Sequence, residues 1–313
     1  MTYSTGDGNL SKSLDQLFCS ADLTRETHSQ LICLVVLNIV LSVTTFLGNT
    51  LILIALHKES SLNPATKLMF RCLLITDLFV GLMSEPLIVV NWISVVNERW
   101  NICRFSYLSS FITGYIFSSV SLLTSTAVSV DRLLALLSGL RYRQVVTTKR
   151  TYIALTVFWV VSIVGTSLHF WNYLITVWLS YTGIALCLVT SVFSYTKIFL
   201  TLRRHQTQVL DQLHKTQSSQ ASPLNLTRYR KAVSSALWLQ LTLLVCYLPF
   251  GVTDALMNHV RLSPSIYIVR EFTASLVFFN SSLNPLLYCW KIREVRQAVK
   301  DTIRQFCSSV LCE

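Results

Sequence analysis

Charge is what this sequence has least of: 13% of its 313 residues are Asp, Glu, Lys or Arg, against 52% hydrophobic. A water-soluble domain normally carries about 25% charged residues, so most of this chain must sit in another solvent. Residues 1–27 lack the basic-then-apolar pattern of a cleavable signal peptide, and the first apolar stretch is expected to act as its own insertion signal. No loop holds a nucleophile–base set or metal-ligand spacing, which argues against an enzyme. Internal repeats and rows of intramembrane charge, the marks of a transporter or channel, are missing too. That class is the alternative reading, with only Glu85, Asp77 and Asp254 as candidate pathway charges.

Length alone would permit about two soluble domains. The long apolar runs replace that estimate with a helix count, because crossing about 30 Å of hydrocarbon takes roughly 20 residues of helix. Seven stretches reach this length: about 31–56, 68–94, 104–137, 151–171, 174–202, 231–257 and 266–290. Lipid excludes irregular backbone, so they must pack as an all-α bundle. The alternative is six helices, since little polar sequence divides the fourth stretch from the fifth. The expected organisation is an extracellular segment at 1–28, a membrane domain at 29–290, and an interfacial helix with a cytoplasmic tail at 291–313.

The 26 Lys and Arg divide unequally. With the amino end outside, only six are outer (Lys12, Arg25, Arg99, Arg104, Arg261, Arg270), and the other 20 are inner. Short basic loops stay cytoplasmic, which fixes that orientation in the plasma membrane. Asn9 then heads an outer glycosylation sequon, Asn9-Leu10-Ser11, while the one at Asn225 lies inside. The net charge of +11 becomes a property of the inner surface facing anionic lipid, and no nucleic acid is implied. Eight outer acids (Asp7, Asp15, Asp22, Glu26, Glu85, Glu98, Asp254, Glu271) face those six bases, an imbalance that favours cationic over anionic ligands.

Polar groups are costly in hydrocarbon, so each suggests a function. The first stretch holds Gly48-Asn49 and the second Asp77. The third ends in Asp131-Arg132-Leu133, the fourth carries Trp159, and the sixth contains Cys246-Tyr247-Leu248-Pro249. The seventh holds Asn280-Ser281-Ser282-Leu283-Asn284-Pro285-Leu286-Leu287-Tyr288. This ordered set on successive helices resembles that of the rhodopsin-like (class A) G-protein-coupled receptors, over about residues 30 to 306.

The resemblance implies a seven-helix receptor that binds an extracellular ligand and activates heterotrimeric G proteins. It places Asn49, Ser121, Asn280, Ser281 and Asn284 around Asp77, a set that would suit either a sodium ion or a buried water network. No other cofactor is implied. The activation switch would comprise Asp131, Arg132, Cys246, Tyr247, Pro249, Asn284, Pro285 and Tyr288, with Pro249 and Pro285 permitting the helices to bend. Arg132 and Leu140 would meet the G protein. In many relatives the arginine also pairs with an acid twenty residues before the sixth-helix proline; here that residue is Tyr229, which leaves Asp131 to hold Arg132. After the seventh helix, Ile292, Val295, Val299, Ile303 and Phe306 oppose Arg293, Arg296, Lys300 and Arg304, the pattern of a helix lying on membrane lipid. Cys307 and Cys312 follow as palmitoylation candidates.

Several positions depart from the pattern: Leu133 for Tyr, Tyr247 for Trp, Cys187 for Pro, Gly139 for Pro. In most relatives the top of the third helix is disulfide-bonded to the loop between helices four and five. That loop has no cysteine here, and Tyr107 occupies the customary place, so Cys19 with Cys103 is the only outer pairing available. Phe278 stands where opsins carry their retinal lysine, and Gly114 where amine receptors carry an aspartate, so neither retinal nor an amine held at that position is expected. The short fourth-to-fifth connection and Leu140-Arg141-Tyr142 are similar to the subgroup joining melanocortin, lysolipid, cannabinoid and adenosine receptors. Glu85, Asn91, Tyr115, Ser118, Asp254, Arg270 and Glu271 are candidates for an outer ligand pocket.

Overall fold

The computed structural model describes residues 18–19, 21–58, 63–215, 241–257, 263–291, 296–297, 299–302 and 304. Among them there is no strand. The helices are α1 (Ala21–Lys58), α2 (Pro64–Val96), α3 (Trp100–Ser138), α4 (Thr148–Trp171), α5 (Tyr173–Lys215), α6 (described over Leu241–Met257) and α7 (Pro264–Lys291). Helices α1 to α5 are each long and apolar enough to cross a membrane. The expected seven-helix bundle is what forms.

Local chemistry sets the breaks. Asn63 starts α2 by accepting the Ala65 amide at 2.9 Å, and Pro64 has no amide to leave unpaired. Gly139 ends α3 with a φ of +48°, a left-handed conformation that glycine adopts without strain. One extended residue, Asn172, separates α4 from α5, and its side chain caps the new helix by accepting the Ile175 amide at 3.1 Å. That cap disposes of the six-helix alternative. Within α2, Val80–Ser84 form a π turn in which the Glu85 amide reaches back to the Val80 carbonyl. Pro86, with no amide to give, follows directly. Gly81 in this turn touches α1: a Cβ there would stand 3.0 Å from the Phe46 nitrogen and the Thr45 Cβ.

Between lipid-embedded helices water supplies no hydrophobic drive, so association rests on close packing and interhelical hydrogen bonds. Helix α1 shows both. Val36, Val40, Val43 and Leu47 are exposed toward lipid. On its other side a polar ladder runs down the bundle. Asn38 Nδ2 donates to Ser275 Oγ (2.9 Å), Ser42 Oγ to the Gly81 carbonyl (2.7 Å), and Asn49 Nδ2 to the Ser281 carbonyl (3.1 Å). Between them the hydroxyls of Thr45 and Ser282 pair at 2.5 Å. At one end, Cys19 is disulfide-bonded to Cys103, Cα–Cα 6.0 Å, which ties the segment before α1 to the start of α3. The opposite end carries Arg132. There Val299, beyond α7, is buried with Ile52, Leu56, Phe70 and Leu73, while Arg296, Lys300 and Arg304 are exposed.

Candidate ligand cavity and buried polar core

A cavity of about 480 Å³ opens toward the disulfide end, walled by α2, α3, α4, α5, α6 and α7. Of the seven expected pocket residues, Asn91, Tyr115, Ser118, Asp254, Arg270 and Glu271 line it. Glu85 does not. The π turn carries it off the cavity wall to the α1 side, where it is fully buried beside Thr45 with neither carboxylate oxygen in a hydrogen bond.

Charge gathers at the rim nearer the disulfide. Arg270 Nη1 donates to Glu271 Oε1 at 2.7 Å and Nε to Asp254 Oδ1 at 3.4 Å. Glu271 is also fixed from below by the Trp92 indole at 3.0 Å, and Asp254 receives the Tyr181 hydroxyl at 3.3 Å. The Arg270 guanidinium lies 5.4 Å from the Phe18 ring centre and 5.9 Å from that of Phe250. Phe18 in turn stacks on Tyr107 at 5.1 Å, held over the rim by its disulfide-bonded neighbour. Below, Phe111 packs against His169 at 4.2 Å, and Tyr115 receives the Ser180 hydroxyl. Phe18, His169 and Tyr181 escaped the sequence reading; a lone histidine in the otherwise uncharged second half of α4 was the available signal. At the floor, Tyr247 is buried and donates to the Ser118 carbonyl at 3.4 Å, with Cys246 buried beside it among Leu122, Cys187 and Val277.

Further along the bundle, Asp77 is fully buried. Its Oδ1 accepts Ser121 and Ser281, both at 2.8 Å, and its Oδ2 accepts Asn284 at 2.7 Å. Asn49 meets the set through the Ser281 carbonyl, and its own Oδ1 has no hydrogen-bond partner. Asn280 shares a small void of about 10 Å³ with Asn284, and its Nδ2 has no partner either. A void of that size admits about one water. Pro285 packs on α1 at Gly48, where a Cβ would be 3.1 Å from its ring. The carbonyl of Pro249 accepts the Thr253 hydroxyl at 3.0 Å.

At the far end the structure departs from expectation. Asp131 does not hold Arg132: its carboxylate accepts Tyr142 at 2.6 Å and Thr66 at 3.1 Å. Burial, reinforced by the bond to Asp131, pushes the Tyr142 phenol above its usual range. Arg132 is exposed, its guanidinium 5.6 Å from the Phe70 ring centre. Leu140 lies in the short 3₁₀ turn Gly139–Arg141, with its side chain outside the described set, as is that of Tyr288. Asn9, Tyr229, Cys307 and Cys312 lie outside the described residues altogether.

Seven helices around a half-closed cavity, with an acid-centred polar core beneath it, form a multi-pass membrane receptor. The family model described as "7 transmembrane receptor (rhodopsin family)" matches residues 48–172 and 165–288, and the chain belongs to that family of G-protein-coupled receptors. It is 26% identical to human "Probable G-protein coupled receptor 45", over 88% of this chain and 82% of that protein. It is 24% identical to the dog "Adenosine receptor A3", over 84% of this chain and 88% of that receptor. The transporter or channel alternative finds no support in these matches.

Proposed function

We propose that the cavity between α3 and α7 binds an extracellular ligand and that binding shifts an existing equilibrium toward a state engaging a heterotrimeric G protein through Arg132 and Leu140. One observation carries this reading: Tyr247, two residues from Pro249, forms the cavity floor, so whatever fills the cavity bears on the segment of α6 that can bend. The disulfide end faces outside at the plasma membrane, a reading supported by the inner excess of Lys and Arg. Asn9 is then open to glycosylation, and Cys307 and Cys312 to palmitoylation from the cytoplasm.

Arg132 meets no carboxylate among the described residues, so little electrostatic restraint holds the resting state. Purified receptor in bilayers should therefore catalyse nucleotide exchange on a G protein without ligand. Tyr229→Glu should lower that exchange several-fold, since a partly exposed ion pair contributes about 1 kcal/mol or less. Exchange equal to protein-free bilayers, unmoved by Tyr229→Glu, would mean that packing alone holds α6.

The oxygens of Asp77, Ser121, Ser281 and Asn49 fit a small hard cation, which would neutralise the buried carboxylate. A buried water network is the other occupant this set suits. If the ion binds, sodium in place of a bulky cation should weaken agonist binding, and Asp77→Asn should abolish that response. A sodium response unchanged in Asp77→Asn leaves only the water network.

A further inference from the structure

The cavity has a thin flank that its polar rim does not announce. Val161 on α4 and Leu179 and Leu186 on α5 all line it, yet they are 57%, 47% and 63% exposed. Side chains that both line the cavity and are this exposed mark the seam between α4 and α5 as the thinnest part of its wall. Leu179, Thr182 and Leu186 follow helical spacing down one side of α5, and Gly183 among them has open space where a Cβ would be. Thr176, whose hydroxyl reaches the Gly165 carbonyl at 3.4 Å, shows that this flank of α5 turns toward α4. From the joint at Asn172, Val161 and Leu186 are about 16 and 21 Å along their helices at 1.5 Å per residue. That depth is hydrocarbon, not the aqueous surface. The mouth on the water side is meanwhile narrowed by Phe18, stacked on Tyr107 and anchored through the Cys19–Cys103 bond.

The rim supplies the other half. Asp254, Glu271 and Arg270 together carry one negative charge in excess. Glu271 is 4% exposed and held from two sides, by Arg270 at 2.7 Å and Trp92 at 3.0 Å. Asp254 is 20% exposed, with Arg270 Nε at 3.4 Å and the Tyr181 hydroxyl at 3.3 Å. It is the carboxylate better placed to take a new cation, with Phe18 and Phe250 close by as aromatic faces.

Resting on the reading of this cavity as the ligand site, we propose that its ligand is a cationic amphiphile: a single alkyl chain bearing an ammonium group, which passes from the bilayer between α4 and α5 and seats its head on Asp254. This differs from an amine held by an aspartate on α3, a position occupied here by Gly114.

The test uses full-length receptor in phosphatidylcholine nanodiscs, with dodecylamine, dodecanol and dodecanoate as probes. Thermal exposure of the buried thiols Cys187 and Cys246 to a thiol-reactive dye gives the stability readout. Dodecylamine should raise the midpoint at a concentration about tenfold or more below that needed for dodecanol, as a charge-assisted contact implies. Asp254→Asn should remove that advantage and Asp254→Glu should keep it. Leu186→Trp should slow the onset of protection several-fold. Equal or better protection by dodecanoate, an advantage that survives Asp254→Asn, or no protection by any chain overturns the assignment. Ligand-free nucleotide exchange on the same preparation reports separately on the receptor reading, so the two can fail independently.

Discussion

Replacing Arg270 with methionine should destabilise the receptor by about 3–5 kcal/mol, the usual cost of removing one partner from a buried charged cluster. Its side chain is 16% exposed, and Glu271 beside it is 4% exposed. Without the guanidinium, Glu271 keeps only the Trp92 indole, and one neutral donor does not offset a buried carboxylate. Asp254 retains the Tyr181 hydroxyl and is the better solvated of the two. Most of the loss should therefore belong to Glu271, and Glu271→Gln added to Arg270→Met should recover much of it. Thermal midpoints of the two variants at matched detergent or lipid composition check this. A neutral Arg270→Met, or a double variant no better than the single, would show that the cluster is wetter than its burial implies.

Loss of the disulfide should be the next largest effect. The bond closes a separation of 84 residues. Chain entropy for a loop of that length gives about 4–5 kcal/mol in an unfolded chain. Membrane helices largely persist when their packing is lost, so the real reference is more ordered, and about 2–4 kcal/mol is expected. Cys19→Ser, Cys103→Ser and the double variant should lose the same amount, because each removes the same bond. Additive losses in the double variant would show that the two residues act through packing instead. The variants should also loosen Phe18 from Tyr107, so that water-soluble thiol reagents reach Cys187 faster.

The polar core was legible through the family resemblance and through Asp77, one of the few acids in the apolar stretches. Asp77 could only turn inward, and Ser121, Ser281 and Asn284 indeed meet it. The cavity wall was harder to read. Tyr181 and Asp254 are 73 residues apart and share no pattern, since which face α5 presents to α6 depends on packing. Phe18 lies in a polar stretch of sequence and takes its place beside the bond at Cys19, against Tyr107 and Arg270. The pairing of Asp131 with Tyr142 and Thr66 was hidden as well: neighbours on a helix can pair, as Arg270 and Glu271 do, or turn apart, as Asp131 and Arg132 do. What the sequence did not disclose was the partner at Tyr142, just past the turn that ends α3.

The π turn in α2 carries a consequence of phase. Buried neighbours along this helix fall at 73 and 74, 76 and 77, 80 and 81, 84 and 85, 88 and 89, then 91 and 92. Three successive steps of four residues, from 77 to 89, would wind a regular helix about 120° past its starting face. One inserted residue unwinds about 100° of that. The insertion acts as a gearbox between two halves, aiming Asp77 at α3 and α7 while returning Trp92 to Glu271. Deleting a single residue from Val80–Ser84 would leave both halves helical and apolar yet set them out of register, and the rim charge would lose its indole without any change to either partner.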